Sequence, residues 1–82
     1  MDKRIGVIAI LIDGQTQAVS RVNELLSEYS DIIIGRLGIP YREKRVSVIS
    51  ITVEGTTDEV GALSGKLGMV EGAKTKSLLL TK

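Results

Sequence analysis

The chain has 82 residues, of which 43% are hydrophobic, and its eleven basic and ten acidic residues leave a net charge of +1. This length predicts a single domain over residues 1–82, and the lack of cysteine excludes disulfide bonds and thiolate metal sites. The balanced charge argues against a surface that attracts nucleic acid or anionic membrane. A small chain without cross-links usually depends on good packing or on oligomerisation for its stability.

The first predicted element is a strand over residues 5–12, an aliphatic run that stops at Asp13 and Gly14. A short β-branched run ended by a turn is typical of a strand buried on both faces. The run is too short to cross a bilayer and lacks a signal-peptide cleavage site, so we expect a cytoplasmic protein with no membrane partner. Apolar residues then recur at helical spacing over residues 18–29, which predicts an amphipathic helix capped by Asp13 or Thr16.

A second strand is predicted over residues 32–39, where two glycines interrupt the aliphatic residues. Glycine inside a strand indicates a β-bulge or a close approach of another backbone. Pro40 marks a strand end or a sheet edge, because proline cannot donate a ladder hydrogen bond. The chain turns over residues 40–44, and the third strand, residues 46–53, alternates apolar and polar side chains as an antiparallel strand with one better-buried face does.

Thr56 and Glu59 have the spacing of a capping box and predict the start of a second helix. Inside it, Gly61 and Gly65 either allow close packing on the sheet or are tolerated at a cost of about 1 kcal/mol each relative to alanine. The helix is expected to end with a C-cap at Gly68.

The last strand begins at Gly72 and completes the order βαββαβ. Right-handed crossovers on this order predict a ferredoxin-like α+β sandwich, in which a four-stranded antiparallel sheet has two helices on one face. RNA-recognition modules of this topology stack bases on aromatic residues of the first and third strands. Neither strand contains an aromatic residue here, so no direct nucleic-acid binding is expected.

The residue inventory argues against catalysis. The chain has no histidine and no cysteine, which removes the commonest general base and the best soft nucleophile. The carboxylates lie on turns, helix starts or polar helix faces, without a pairing that suggests acid–base chemistry. We therefore expect a protein that is not an enzyme, with no metal site and no cofactor. A site of oxygen ligands between subunits is the alternative, and no motif supports it.

The second face of the sheet is the most informative feature of the sequence, because the first strand is apolar on both faces. Burying an aliphatic side chain contributes roughly 1.5–3 kcal/mol, so several of them left in water would be costly. This pattern predicts that another subunit covers the second face, in a homodimer or homotetramer. The alternative is that some of these residues are simply strand formers. The predicted interface residues are Ile8, Ile10, Ile12, Ile32 and Ile34.

Two stretches are candidate ligand-binding segments. Residues 35–42 combine two glycines with two arginines and a tyrosine, residue types enriched in binding surfaces. The alternative is an edge strand that Arg36 and Pro40 protect from aggregation. The turn at residues 13–14 could expose helix N–H groups to an anion or another small ligand, and the alternative is an ordinary turn. The candidate ligand-binding residues are Asp13, Gly14, Gly35, Arg36, Gly38, Tyr41 and Arg42.

The sequence also resembles a known family. The strings Ile-Gly-Arg-Leu-Gly-Ile-Pro-Tyr-Arg-Glu-Lys at residues 34–44, Ile-Ser-Ile at 49–51 and Gly-Thr-Thr-Asp-Glu at 55–59 closely resemble the iron-only hydrogenase system regulators. The likeness extends to residues 4–5, 22–23 and 63–68, and it covers nearly the whole chain.

The resemblance implies an ACT-like fold, similar to the C-terminal ligand-binding domain of nickel-responsive repressors. Those relatives bind small effectors or metal at subunit interfaces, and in ACT domains the effector commonly lies by the loop after the first strand, which corresponds to Asp13 and Gly14. Nickel sensing is not implied, because this chain lacks the histidine and cysteine ligands and a separate DNA-binding segment. A link to transcription regulation comes only from the family name.

The favoured function is therefore a regulatory homo-oligomer that binds a small-molecule effector and is linked to iron-only hydrogenase. One alternative is an assembly module that binds a protein partner through its apolar sheet or through the edge near Arg36. A third is an enzyme that uses carboxylates at a subunit interface.

Overall fold

A computed structural model of the chain describes residues 2–14 and 17–81. Within these residues, all neighbouring strands pair antiparallel in one four-stranded sheet, and its spatial order by position along the chain is 2-3-1-4, so the first and third strands are central. The predicted ferredoxin-like α+β fold is confirmed. The elements are β1 Arg4–Asp13, α1 Ala18–Glu28, β2 Ile33–Tyr41, β3 Val46–Gly55, α2 Thr57–Gly68 and β4 Ala73–Leu79.

The core lies between the two helices and one face of the sheet. Along β1, every second residue points at the helices, and Ile8, Ile10 and Ile12 are at most 1% exposed. Burial of each such side chain contributes about 1.5–3 kcal/mol, and in the described part of the chain every residue of the buried core is apolar. The other buried residues of the core are Ala18, Val22, Leu25, Leu26, Ile32, Ile49, Ile51, Val53, Val60, Leu63 and Leu67.

The start of α1 differs from the sequence prediction. Gln17 occupies the N-cap position and makes no capping hydrogen bond through its side chain. Asp13 is not the cap, because β1 continues through it: Asp13 pairs with Val46 and donates its N–H to the Gly72 carbonyl at 2.8 Å. The other predicted cap, Thr16, lies outside the described residues.

At the start of α2, the predicted capping box is confirmed. The Glu59 N–H donates to the Thr56 hydroxyl at 3.1 Å, and the Thr56 N–H donates to the Glu59 carboxylate at 2.8 Å. The C-cap is Met69 rather than the predicted Gly68, which is the last helical residue.

In the part of the chain that the structure describes, no helix is both long and apolar enough to span a membrane.

The two glycines within α2 do not mediate close packing. A Cβ added at Gly61 or Gly65 would have no atom within 4 Å. Of the two alternatives that the sequence left open, the structure therefore supports the second, in which the helix tolerates the two glycines at a cost to its stability.

β2 is an edge strand that begins and ends later than predicted. Residues Ser30–Ile32 form a 3-10 turn, and the strand then runs through Pro40 to Tyr41. Proline is compatible with this position because an edge strand does not need every N–H for its ladder. The pairing register shifts between Ile33 and Gly35, which is the β-bulge that the glycine suggested. No neighbouring backbone approaches Gly35, since a Cβ there would meet nothing within 4 Å.

Candidate functional site

The face of the sheet opposite the helices is largely apolar, and we call it the open face. Directly opposed residues of paired strands lie on the same face, so Leu11 is flanked by Val48 on β3 and Lys74 on β4. Leu11 is 40% exposed and Leu37, on β2, is 61% exposed. The apolar residues of the open face are Val7, Ala9, Leu11, Leu37, Ile39, Tyr41, Val46, Val48 and Leu78.

The prediction of interface residues from the sequence is wrong for four of its five members, which are buried in the core of the chain. Ile8, Ile10, Ile12 and Ile32 are at most 8% exposed within the chain, because the helices cover them, so they cannot contact another subunit. Ile34 is 61% exposed and lies at the β2 bulge, where it is available to a partner. The error has a simple origin: β1 is apolar on both faces, and its sequence does not indicate which face the helices cover.

At one end of the sheet, the turn after β1 meets the turn between β2 and β3. The Gly14 N–H donates a 2.8 Å hydrogen bond to the Arg45 carbonyl. A Cβ at residue 14 would lie 2.8 Å from that carbonyl oxygen, so only glycine allows the two turns to approach this closely. Arg45 itself adopts a left-handed conformation, with φ 55° and ψ 40°, where it ends the 3-10 turn Arg42–Lys44.

This junction forms one wall of an open groove of about 320 Å³. The groove brings together Gly14 and Arg42, two of the residues predicted to bind a ligand, and adds Arg45 and Ser47, which were not predicted. Its apolar wall is Pro40 and Val46. We call this the turn groove. Arg45 was missed because a surface arginine in a charged turn carries no sequence pattern that reports a left-handed backbone.

The remaining predicted ligand-binding residues lie elsewhere. Asp13 lines a second groove beside Lys74 on the opposite side of the β1 end. Arg36 and Gly38 line a shallow groove between β2 and α1, where the Arg36 guanidinium donates to the Asn23 side-chain oxygen at 3.1 Å. Gly35 and Tyr41 take part in the bulge and the open face, respectively.

For the residues that the structure describes, the clear pKa shifts lie on α2, away from the turn groove. The hydrogen bond from the Thr56 N–H lowers the pKa of Glu59, which is a helix-capping interaction. Contact with the Tyr29 hydroxyl raises the pKa of Lys66, whose ammonium lies 5.1 Å from the centre of the Tyr29 ring. Among residues 2–14 and 17–81, no three His, Cys, Asp or Glu side chains cluster in a way that could hold a metal ion.

Comparison with known proteins identifies the family. Residues 4–77 match the family model described as "TM1266-like: Iron-only hydrogenase system regulator, putative". The chain belongs to the iron-only hydrogenase system regulator family. A solved structure of uncharacterized protein TM1266 from Thermotoga maritima is 36% identical, has a TM-score of 0.94, and is matched over 98% of this chain and 100% of that one. No curated protein matches the sequence.

Two more distant structures share this fold. The ACT domain of GTP pyrophosphokinase from Chlorobium tepidum is 15% identical with a TM-score of 0.77, over 93% of this chain and 99% of that one. The C-terminal domain of the MgtC protein from Mycobacterium tuberculosis is 10% identical with a TM-score of 0.72, over 93% and 86%. At these identities the likeness establishes an ACT-like fold alone.

Proposed function

We propose that this member of the iron-only hydrogenase system regulator family is a non-enzymatic regulatory protein that self-associates through its open face and binds a small effector. The observation that carries the proposal is the asymmetry of the sheet. Both helices cover one face, while the other presents a continuous set of aliphatic side chains to solvent. A patch of this kind on a small chain is usually an interaction surface.

A second copy of the chain is the occupant that fits the open face best. At its centre, Ala9 faces Ser50, and these short side chains let two sheets approach each other closely. Leu11, Leu37 and Leu78 surround this centre and would become buried. Lys74 and Lys76 lie only on the β4 side of the face, so a two-fold pairing that offsets the β4 edges can keep both lysines in water.

The effector site in this proposal is the turn groove. Gly14 fixes the turn after β1 against the β2–β3 turn, and Arg42 lines the space between them. A ligand held there would touch both turns at once. Because Val46 lines the turn groove and also lies on the open face, an effector could alter the surface that meets another copy.

The experiment for this proposal has two parts. Light scattering at several micromolar concentrations should give a mass two or four times that of one chain, and a monomer at every concentration would contradict self-association. A thermal-shift screen with amino acids, nucleotides and divalent metals should find a compound that stabilises the protein. That stabilisation should disappear in Arg42→Ala and persist in Asp13→Ala and Arg36→Ala, which lie in other grooves.

The second candidate function is an assembly module without a small ligand, and the exposure of β2 favours it. Only Ile33 of this nine-residue edge strand is partly buried. Its one charged residue, Arg36, is turned toward Asn23, so the stretch between the bulge at Gly35 and Pro40 presents no outward charge that would oppose pairing with another strand. If the free protein is monomeric and no compound stabilises it, and if Asp13→Ala and Arg36→Ala are folded and equally unresponsive, this function is favoured. A cytoplasmic location stays a prediction under either function.

A further inference from the structure

The turn groove has an uneven charge distribution. Of the residues that line it, Arg42 and Arg45 are positively charged and none is acidic. The turn over residues 42–45 contains three basic residues and one acidic residue, so positive charge is concentrated at this end of an otherwise balanced chain.

Neither arginine has a carboxylate partner among residues 2–14 and 17–81. Among the residues that the structure describes, the one side-chain ion pair joins Arg21 and Glu24 on α1, at 3.3 Å. The guanidinium groups of Arg42 and Arg45 therefore keep their donors available. Ser47, on the next strand, adds a hydroxyl to the same groove.

The backbone at Arg45 is a second, independent observation. A left-handed conformation is unfavourable for any residue with a Cβ, and glycine or asparagine is its usual occupant. Here a long charged side chain stands at that position. Hydrogen bonds fix its backbone on both sides: the Arg45 N–H donates to the Arg42 carbonyl at 3.1 Å, and the Arg45 carbonyl accepts from Gly14 at 2.8 Å. Strain held in this way at a groove points to a binding role for the side chain.

We propose that the turn groove binds a small organic anion, with Arg42 and Arg45 holding a carboxylate or phosphate group. This inference rests on the proposed function and specifies the chemical class of its effector. Guanidinium groups match the two-oxygen geometry of carboxylates and phosphates. Pro40 and Val46 give the groove an apolar wall against which a short carbon skeleton can pack, and a volume of about 320 Å³ is in the range of metabolite sites.

The test is a titration of the protein with an anion, monitored through the amide signals of Gly14, Val46 and Ser47 in nitrogen-15 NMR spectra. One arm uses inorganic phosphate and the other uses acetate, both at ionic strength held constant with sodium chloride. Saturable shifts confined to these residues are expected in at least one arm, and the arm that saturates identifies the anionic group. Linear, diffuse shifts in both arms would overturn the inference.

Three variants show whether the arginines form a site or only a general positive field. Arg42→Ala and Arg45→Gly should each weaken binding by about tenfold or more. Arg45→Gly introduces glycine, which adopts the left-handed backbone conformation readily, so the fold is preserved. Lys44→Ala is the matched control, because it removes one charge from the same turn but does not line the groove. Binding lost equally in Lys44→Ala would overturn the inference. If both anions fail while an uncharged compound stabilises the protein, the anion inference falls and the proposed function stands.

Discussion

The Gly14 N–H donates a 2.8 Å hydrogen bond to the Arg45 carbonyl, and this contact joins the turn after β1 to the turn between β2 and β3. A Cβ at residue 14 would collide with the same carbonyl oxygen. Gly14→Ala should therefore force the turns apart and lower the free energy of unfolding by about 1–3 kcal/mol, as overpacking usually does. Urea denaturation measures this change. Gly35→Ala is the control, because its Cβ meets no atom within 4 Å, and an equal loss in both variants would contradict a specific role for the junction.

Gly61 and Gly65 should be positions where the chain can be stabilised. Both lie within α2, and a Cβ at either would enter open space. Alanine favours the helix over glycine by about 0.5–1 kcal/mol, so each substitution should raise the unfolding free energy by that amount. Thermal and urea denaturation of the single and double variants would check this. A loss of stability in either variant would contradict the open surroundings of these two positions.

Arg45→Gly should leave stability unchanged or raise it by about 1 kcal/mol. Glycine adopts the left-handed backbone without the steric cost that arginine incurs, although it gains more freedom in the unfolded chain. Urea denaturation of this variant beside Arg42→Ala separates the backbone effect from the loss of charge. A decrease well beyond 1 kcal/mol in Arg45→Gly would show that the arginine side chain stabilises the fold and that its role is not confined to binding.

The Glu59 cap should make stability depend on pH in the acid range. The hydrogen bonds from Thr56 lower the pKa of Glu59 in the folded state below its usual 4.5. A carboxylate with a depressed pKa contributes stability above its unfolded pKa and loses it as the pH falls through the folded value. The stability advantage of the native protein over Glu59→Gln should therefore be fully present at neutral pH and shrink progressively below about pH 4.5. A difference that is constant from pH 7 to pH 3 would contradict this account.

Much of the fold could be predicted because local patterns agreed with the global order of elements. The capping box at Thr56 and Glu59 located the start of α2, and the aliphatic run of β1 located a central strand. The boundaries of the elements were harder to predict where the local sequence is compatible with two kinds of secondary structure. Ile32 is a β-branched residue of the kind that favours a strand, yet it belongs to a 3-10 turn and its side chain is buried in the core.

The candidate site was predictable only in part, because it depends on contacts between distant segments. Gly14 and Arg42 were singled out as separate turn residues, and only the antiparallel β1–β3 pairing brings them into one groove. Arg45 became visible through its backbone conformation, which composition does not encode. For the open face, the continuous aliphatic run of β1 predicted that both faces of the strand are apolar. It did not predict that the helices would leave the face with Ala9 and Leu11 uncovered.

Self-association through the open face is the central claim, and a pair of matched variants tests it most directly. Leu11 on the open face and Val19 on α1 are 40% and 39% exposed, so they differ in location and hardly in accessibility. In Leu11→Glu, the new carboxylate would be placed beside Lys74, which helps the single chain to remain folded. Circular dichroism should confirm that both variants are folded.

Light scattering on the native protein, Leu11→Glu and Val19→Glu at the same micromolar concentration then gives the decisive comparison. We predict a dimer or tetramer for the native protein and for Val19→Glu, and a monomer for Leu11→Glu, because removing the new charge from water between two apolar sheets is strongly unfavourable. An oligomer of unchanged mass in Leu11→Glu would contradict the claim that the open face joins the subunits.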